Sequence, residues 1–135
     1  MAEARRAVER PLSPHLQVYS FLINMVMSIM HRATGAALYF GTLLLAAWLV
    51  SAAMGQKQYE LVSELFAHPL GKVVLFGYSW ALIHHMLGGI RHFIWDTGRG
   101  FQIWQVNLLS WLTILGSVTL TIVLWAAALG IRGGF

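Results

Sequence analysis

The sequence predicts an all-α membrane protein in which three transmembrane helices form a bundle, preceded by an N-terminal cytoplasmic segment. Composition is the first observation behind this fold class. Hydrophobic residues make up 58% of the chain and charged residues only 10%, whereas a typical soluble domain carries about 25% charged residues. The second observation is three long uncharged stretches, because a bilayer core of ~30 Å requires about 20 apolar helical residues. A soluble enzyme and a disordered chain are both excluded, since disordered chains are polar and poor in aromatic residues.

The uncharged stretches define the membrane helices. They are residues 33–56, 73–90 and 100–131. The charges that flank the second stretch, Lys72 and Arg91, are expected to snorkel to the membrane surface. The helices are therefore expected at about residues 28–54, 69–96 and 104–131. Residues 1–27 are expected to form the cytoplasmic or interfacial N-terminal segment, and residues 28–135 the membrane anchor.

A short amphipathic helix is expected between the first two spans. Leu61, Val62, Leu65 and Phe66 recur there at helical spacing. Apolar residues in that pattern are typical of a helix that lies in the membrane interface.

The basic residues predict the orientation and the membrane. Most of them fall in the N-terminal segment, at the start of the first span, or around the junction between the second and third spans: Arg5, Arg6, Arg10, Arg32, Arg91 and Arg99. The positive-inside rule then places the N-terminus in the cytoplasm and the C-terminus in the periplasm. The first residues resemble neither a secretory signal nor a mitochondrial presequence. A bacterial inner membrane is therefore expected in preference to the mitochondrial inner membrane.

Two further features of composition exclude partners and chemistries. The net charge of +4 is not clustered into a groove-sized patch, so no nucleic-acid partner is expected. The chain contains no Cys. Disulfides, thiol catalysis and iron–sulfur ligation within this chain are therefore excluded.

Polar residues form two helical stripes near the predicted cytoplasmic ends of the first and second helices. The first stripe is Ser28, His31, Arg32 and Gly35. The second is His85, Gly88, His92 and Trp95, with Gly89 and Asp96 at its edge. Residues at these spacings share one face of a helix. Ionisable groups at membrane depth are costly and usually mark function, so each stripe is a candidate site.

His85 is the candidate metal ligand. It precedes Arg91 by six residues, about 9 Å along a helix, and its neighbour His84 points ~100° away around the helix. A neutral buried imidazole is a good ligand for haem iron, and nearby glycines leave room for a flat macrocycle. The alternative is that His85 hydrogen-bonds a neighbouring helix, and the spacing leaves both interpretations open. His84 is expected to pack against another helix or to hydrogen-bond with it.

A haem at His85 would require a second protein. A low-spin haem needs two axial ligands, yet the third helix contains no His and the first contains only His31, at its inner end. The second histidine is then expected on another polypeptide. His31, Arg32 and His92 would be available to neutralise the propionates.

Ser28 and Arg32 are also candidates for a quinone site. A serine hydroxyl can hydrogen-bond a quinone carbonyl, and a nearby arginine stabilises the negative charge that develops on reduction. The alternative is that Ser28 caps the helix and Arg32 snorkels to lipid phosphate. Asp96 is a candidate for an ion pair with Arg32 or Arg91.

Three segments of the sequence resemble a known family, the large cytochrome b membrane-anchor subunit of succinate dehydrogenase, respiratory complex II. They are Arg10 to Leu16 (R-P-L-S-P-H-L), Ser28 to Gly35 (S-I-M-H-R-A-T-G) and His85 to Asp96 (H-M-L-G-G-I-R-H-F-I-W-D). The last two match the family signatures S-I-x-H-R-x-[TS]-G and H-x-x-x-G-x-R-H-x-x-x-D. The resemblance covers about residues 10–100.

The resemblance implies a role for each matching residue. His85 would be one axial ligand to haem b, with the other ligand from a small membrane-anchor subunit. Ser28 and Arg32 would line the ubiquinone site, and the propionates would meet His31, Arg32 and His92. FAD and the iron–sulfur clusters would reside in partner flavoprotein and iron–sulfur subunits, and this chain would have no activity alone. A haem-free structural anchor or assembly subunit is the alternative function, and a small transporter is less favoured because neither repeats nor broken helices are visible.

Overall fold

The computed structural model describes residue 18 and residues 20–131. Four helices occur in this part of the chain: α1 (Ile23–Met54), α2 (Gln56–Ala67), α3 (Pro69–Asp96) and α4 (Ile103–Ile131). Among them α1, α3 and α4 are long and apolar enough to cross a membrane. The predicted fold class, an all-α bundle with three transmembrane helices, is confirmed. The motif at residues 10–16 and most of the N-terminal segment lie outside the described residues.

Helix α1 begins at Ile23, earlier than the expected residue 28. The extra turns are helical because they pack: Met27 is only 1% exposed, and the Ser110 hydroxyl of α4 donates to the side-chain oxygen of Asn24 at 2.8 Å. Residues that pair with another helix gain more from helical geometry than from lying irregularly at the interface. The cap position of α1 is Leu22. Ser28 therefore lies inside the helix, and its interpretation as a helix cap is wrong.

Helix α2 connects the C-terminal end of α1 to the N-terminal end of α3. Gly55 makes the junction with φ of 116°, a backbone conformation that favours glycine because it has no Cβ. Pro69 opens α3 at a position where a missing backbone N–H costs nothing. The expected short helix between the first two spans is therefore present, and its outer face exposes Leu61 and Leu65.

Helix α4 packs on α3 through a stripe of small hydroxyl residues. They are Ser110, Thr113, Ser117 and Thr121, each no more than 4% exposed. Each hydroxyl oxygen lies 2.7–2.9 Å from a backbone carbonyl oxygen of its own helix, and Ser110 has the Asn24 side-chain oxygen as an alternative acceptor, so every donor of the stripe has an acceptor in reach. Small residues at membrane helix interfaces let backbones approach closely. The buried centre of this bundle is consequently polar and small, while most large apolar side chains face outward toward lipid.

The turn between α3 and α4 lies at the end of the bundle where α3 ends and where α1 and α4 begin. Gly98 and Gly100 adopt positive φ values of 75° and 81°, and the Trp95 indole N–H donates to the Gly100 carbonyl at 3.1 Å. Helix α4 thus starts beside the end of α3. The Asn24–Ser110 hydrogen bond places the start of α1 at the same end. The two predicted polar stripes are thereby brought to one end of the bundle.

Candidate histidine site between α1 and α3

The centre of the site is a stacked pair of imidazoles, one from each helix. The rings of His31 on α1 and His85 on α3 are parallel to within 4°, with centroids 4.0 Å apart. Two glycines make room for the pair. A Cβ on Gly35 would lie 3.0 Å from the His85 ring, and a Cβ on Gly88 would lie 2.5 Å from the His31 ring. Each stripe therefore provides both a histidine and the gap for the histidine of the other helix.

The hydrogen bonds of His85 fix its tautomer. Its Nδ1 lies 3.1 Å from the backbone carbonyl oxygen of His31 and 3.3 Å from the hydroxyl of Thr34. A carbonyl only accepts, so Nδ1 carries the proton and donates it. The neutral ring then has its lone pair on Nε2. Histidines that ligate metals commonly show this arrangement: one ring nitrogen donates a hydrogen bond to a carbonyl, and the other has a free lone pair for the metal.

Of the remaining stripe residues, His92 lies beside the imidazole pair with its ring tilted by 48° to that of His31, and two residues of α1 lie at the surface. The His92 ring lies 5.2 Å from that of His31 and 5.2 Å from that of Trp95. Ser28 and Arg32 are exposed, one turn apart on α1. Their side chains are thus accessible to a ligand or to another subunit, and their roles stay predictions.

His84 points away from this site and toward α4. It is 2% exposed, and its Nδ1 lies 3.1 Å from the Ser117 hydroxyl. That hydroxyl already donates to the Ile114 carbonyl, so His84 is the donor. The expectation that His84 hydrogen-bonds another helix is confirmed. The two adjacent histidines serve different faces of α3, and only His85 faces α1.

Arg91 does not snorkel to the membrane surface, and that prediction is wrong. The residue is 3% exposed. Its guanidinium donates to Ser110 at 3.3 Å and lies 5.0 Å from the centre of the Trp95 ring. A hydroxyl on α4 and an aromatic face are thus the contacts of the buried cation, and its Nε is buried without a hydrogen-bond partner among the described residues. Asp96 is exposed at the end of α3. The contacts of Arg91 among the described residues are with the Ser110 hydroxyl and the Trp95 ring.

Sequence reasoning missed Asn24 and Ser110, which complete this buried network. The signal was present in α4, where Ser110, Thr113, Ser117 and Thr121 recur at helical spacing. A polar stripe on an otherwise apolar span indicates the face that turns inward. Asn24 had no comparable signal, because its neighbours in the sequence are apolar.

The site has the features that haem ligation by one histidine requires. His85 is partly exposed, its Nδ1 is the atom that meets the His31 carbonyl, and a Cβ built on Gly89, one turn further along α3, would meet nothing within 4 Å. A flat group can therefore approach α3 at this point. Among residue 18 and residues 20–131, no cluster of three or more His, Cys, Asp or Glu side chains is arranged to hold a metal ion.

Fold and site together define an integral membrane protein with a histidine site at one end of a three-helix bundle. Residues 6–124 match the family model described as the succinate dehydrogenase/fumarate reductase transmembrane subunit, and the chain belongs to this family. The resemblance stated from the sequence motifs is thereby confirmed.

Three relatives illustrate the match. The chain is 38% identical over 117 residues to the succinate dehydrogenase cytochrome b556 subunit of Rickettsia felis, covering 87% of this chain and 91% of the relative. It is 41% identical over 122 residues to the b556 subunit of Paracoccus denitrificans, covering 90% and 93%. It is 42% identical over 118 residues to the mitochondrial b560 subunit of Sus scrofa, covering 82% and 69%. The chain is therefore similar to membrane subunits of an oxidoreductase complex.

Proposed function

We propose that this chain is the membrane-anchor cytochrome b subunit of a succinate:quinone oxidoreductase. It anchors a flavoprotein and an iron–sulfur subunit, shares the ligation of haem b with a small anchor subunit, and lines the site where ubiquinone is reduced. The observation that carries the proposal is the position of His85 Nδ1 beside the His31 carbonyl oxygen, which only accepts hydrogen bonds. The Nδ1–H of His85 is donated to the His31 carbonyl at 3.1 Å, which leaves Nε2 as an iron ligand.

The residues around His85 would orient the haem and offset the charge of its propionates. When bound, haem b supplies a one-electron carrier within the membrane. The carbonyl of His31 holds the His85 ring in one tautomer and one orientation. His31, His92 and Arg32 lie together at this end of the bundle and would be the groups available to hold the propionates. Gly89, where an added Cβ would meet nothing within 4 Å, would leave the surface of α3 open to the macrocycle.

Ser28 and Arg32 form this chain's part of the quinone site. Both are exposed on α1 at the end of the bundle that holds the histidines. The Ser28 hydroxyl donates a hydrogen bond to a quinone carbonyl, and Arg32 stabilises the negative charge that develops there. Asp96, exposed on α3, is a candidate ion-pair partner for Arg32 in the assembled complex. The site is completed by residues of the iron–sulfur and small anchor subunits.

The orientation follows from the same arrangement. We infer that the histidine end of the bundle faces the cytoplasm in a bacterial inner membrane, with the N-terminus on that side and the C-terminus in the periplasm. Arg32, Arg91 and Arg99 all lie at or near this end, as the positive-inside rule requires. Electrons then arrive from a soluble head on the side where Ser28 and Arg32 are located.

The visible spectrum of the purified complex, reduced by dithionite minus oxidised, tests the haem assignment. The variants are His85→Ala and, as a matched neighbour, His84→Ala. Wild type and His84→Ala are expected to give a six-coordinate b-type spectrum, and His85→Ala a lost or high-spin one. An unchanged low-spin spectrum in His85→Ala would refute His85 as the ligand. Absence of haem from wild type with succinate–quinone activity intact would instead support a haem-free structural anchor.

The quinone assignment has its own test. Ser28→Ala is expected to raise the KM for ubiquinone while the haem spectrum stays as in wild type. Thr119→Val is the matched control, because it removes an exposed hydroxyl from α4. An equal KM in both variants would show that Ser28 does not contact the quinone.

A further inference from the structure

Arg91 is a charged side chain inside the bundle. It is 3% exposed, whereas the other Arg, Lys, Asp and Glu side chains in the described part of the chain are partly or fully exposed. It lies in the last two turns of α3, which ends at Asp96. A cation in this position is costly, because it has lost most of its contact with water in an interior of low dielectric constant.

The contacts of the Arg91 guanidinium do not neutralise its charge. It donates to the Ser110 hydroxyl at 3.3 Å and lies 5.0 Å from the centre of the Trp95 ring, and both of these groups are neutral. Its Nε is buried without a hydrogen-bond partner among the described residues. The carboxylates that the structure describes are all exposed, and no ion pair joins one of them to Arg91. The positive charge is therefore uncompensated within residues 20–131.

Stability alone does not account for a cation at this position. Replacing a buried charge by an apolar side chain of similar volume is often neutral or stabilising, and a neutral residue could fill the same space beside Ser110. Ionisable groups inside membrane segments usually mark a function. The effect of the charge is then expected on a group nearby.

A series of aromatic rings connects Arg91 to the histidine site. The Trp95 ring, whose face the guanidinium approaches, lies 5.2 Å from the His92 ring, and the His92 ring lies 5.2 Å from that of His31. Arg91 also follows His85 by six residues, which is about 9 Å along a helix. Side chains and helix backbone lie between the cation and His85, and they screen a charge far less than water does.

We propose that Arg91 raises the reduction potential of the haem that His85 ligates, an inference that rests on the proposed function. Reduction adds one negative charge at the iron, and a fixed cation nearby favours the state that carries it. Arg91 faces α4 while His85 faces α1, so Arg91 acts through its electric field. It is a residue that sets a potential and not a catalytic residue.

The size of the effect follows from the separation. A unit charge at a distance of about 10 Å, in a medium with an effective dielectric constant of about 20, changes a one-electron equilibrium roughly tenfold. A tenfold change corresponds to about 59 mV for a one-electron couple. An exposed arginine has a smaller effect at a similar distance, because water and salt screen its charge.

Potentiometric titration of the purified complex in nanodiscs, followed by the visible spectrum of the haem, tests the proposal. Arg91→Gln removes the charge and keeps a polar side chain beside Ser110. It is expected to lower the equilibrium constant for haem reduction about tenfold relative to wild type. The control is Arg99→Gln, which removes an exposed arginine from the turn after α3 and is expected to change that constant less than about twofold.

A second pair of variants leaves Arg91 in place. Ser110→Asp introduces a carboxylate at the position whose hydroxyl contacts the guanidinium at 3.3 Å, whereas Ser110→Asn introduces a neutral side chain of nearly the same size. Ser110→Asp is expected to lower the potential toward that of Arg91→Gln, and Ser110→Asn to keep it near the wild-type value. The two substitutions differ in charge, so a role of Arg91 in packing alone would not separate them.

A six-coordinate b-type spectrum in each variant shows that ligation by His85 is intact. Equal potentials in Arg91→Gln and wild type, or in Ser110→Asp and Ser110→Asn, would overturn the proposal. Loss of haem from Arg91→Gln and Ser110→Asp alone would overturn it too, because Arg91 would then hold the haem and not set its potential.

Failure of the proposed function gives a different result. Absence of haem from wild type would refute that function and this inference with it. A low-spin spectrum in wild type that is lost in His85→Ala supports the proposed function whatever the potentials of the Arg91 and Ser110 variants, so the two failures are distinguishable.

Discussion

Replacing Gly88 by Ala tests whether the histidine stack organises the site. The added Cβ would lie 2.5 Å from Nδ1 of His31 and 3.1 Å from its Cε1. Ordinary contact begins at 3.4 Å, so the ring must recede by about 0.9 Å in a packed interior that yields little. The His31 ring cannot recede without leaving its position 4.0 Å from the His85 ring. Gly88→Ala is therefore expected to disturb the orientation of His85.

The free energy of unfolding changes through two opposing contributions. Overpacking a buried site costs roughly 1–3 kcal/mol, while Ala in place of Gly in a helix interior gains roughly 1 kcal/mol. The expected net effect is a loss of roughly 0–2 kcal/mol. The matched control is Gly77→Ala, on the same helix, where a Cβ meets no described atom within 4 Å. That variant receives only the helix gain, so the two substitutions differ mainly in the contact with His31.

The assay compares the haem spectrum and the thermal melting of the purified complex for both variants. Gly88→Ala is expected to broaden or weaken the low-spin haem signal and to melt below Gly77→Ala. Gly77→Ala is expected to keep the wild-type spectrum and to melt at or slightly above wild type. If Gly88→Ala matched Gly77→Ala in both measurements, the stacked geometry would not matter to the site and the reasoning from the glycine gap would fail.

Two further substitutions test the buried contacts between α3 and α4. Ser117→Ala removes the acceptor of the His84 Nδ1–H and is expected to destabilise the complex by about 1–3 kcal/mol in thermal unfolding, while the exposed control Thr119→Ala stays near wild type. Arg91→Lys is expected to melt below Arg91→Met, because a lysine keeps a buried charge but loses the guanidinium geometry at Ser110. The reverse order for Arg91 would indicate that its charge, and not its planar contacts, holds it inside the bundle.

Most of the architecture could be predicted because membrane helices have a clear signal in the sequence. Long uncharged stretches identify spans directly, since a bilayer excludes charge from its core. The start of α1 was predicted about five residues too late. The apolar residues around Met27 have the same sequence pattern whether they pack on α4 or lie at the membrane interface. Arg91 was misplaced for a related reason: a charge near a helix end snorkels by default, and only a tertiary partner such as Ser110 reverses that preference.

The site was predictable to the extent that it depends on helical periodicity. The two stripes follow from spacing alone, and the structure brings His31 and His85 into direct contact. The tautomer of His85 was beyond prediction, because it depends on the backbone carbonyl of His31 across the interface. No contact among the described residues tests whether Ser28 and Arg32 bind quinone, so their roles stay predictions.

The two faces of α3 explain why a polar interior accompanies the proposed haem site in this small bundle. In lipid, no hydrophobic force sets the rotation of a helix about its axis, since apolar side chains are as well placed against lipid as against protein. Directional contacts must set it instead. His84 to Ser117 and Arg91 to Ser110 are two such contacts, seven residues apart on the α4 face of α3. With that face held against α4, the next residue along the chain, His85, is turned toward α1. The buried polar contacts therefore aim the proposed haem ligand, and loosening them should disturb haem binding even where no contact with haem exists.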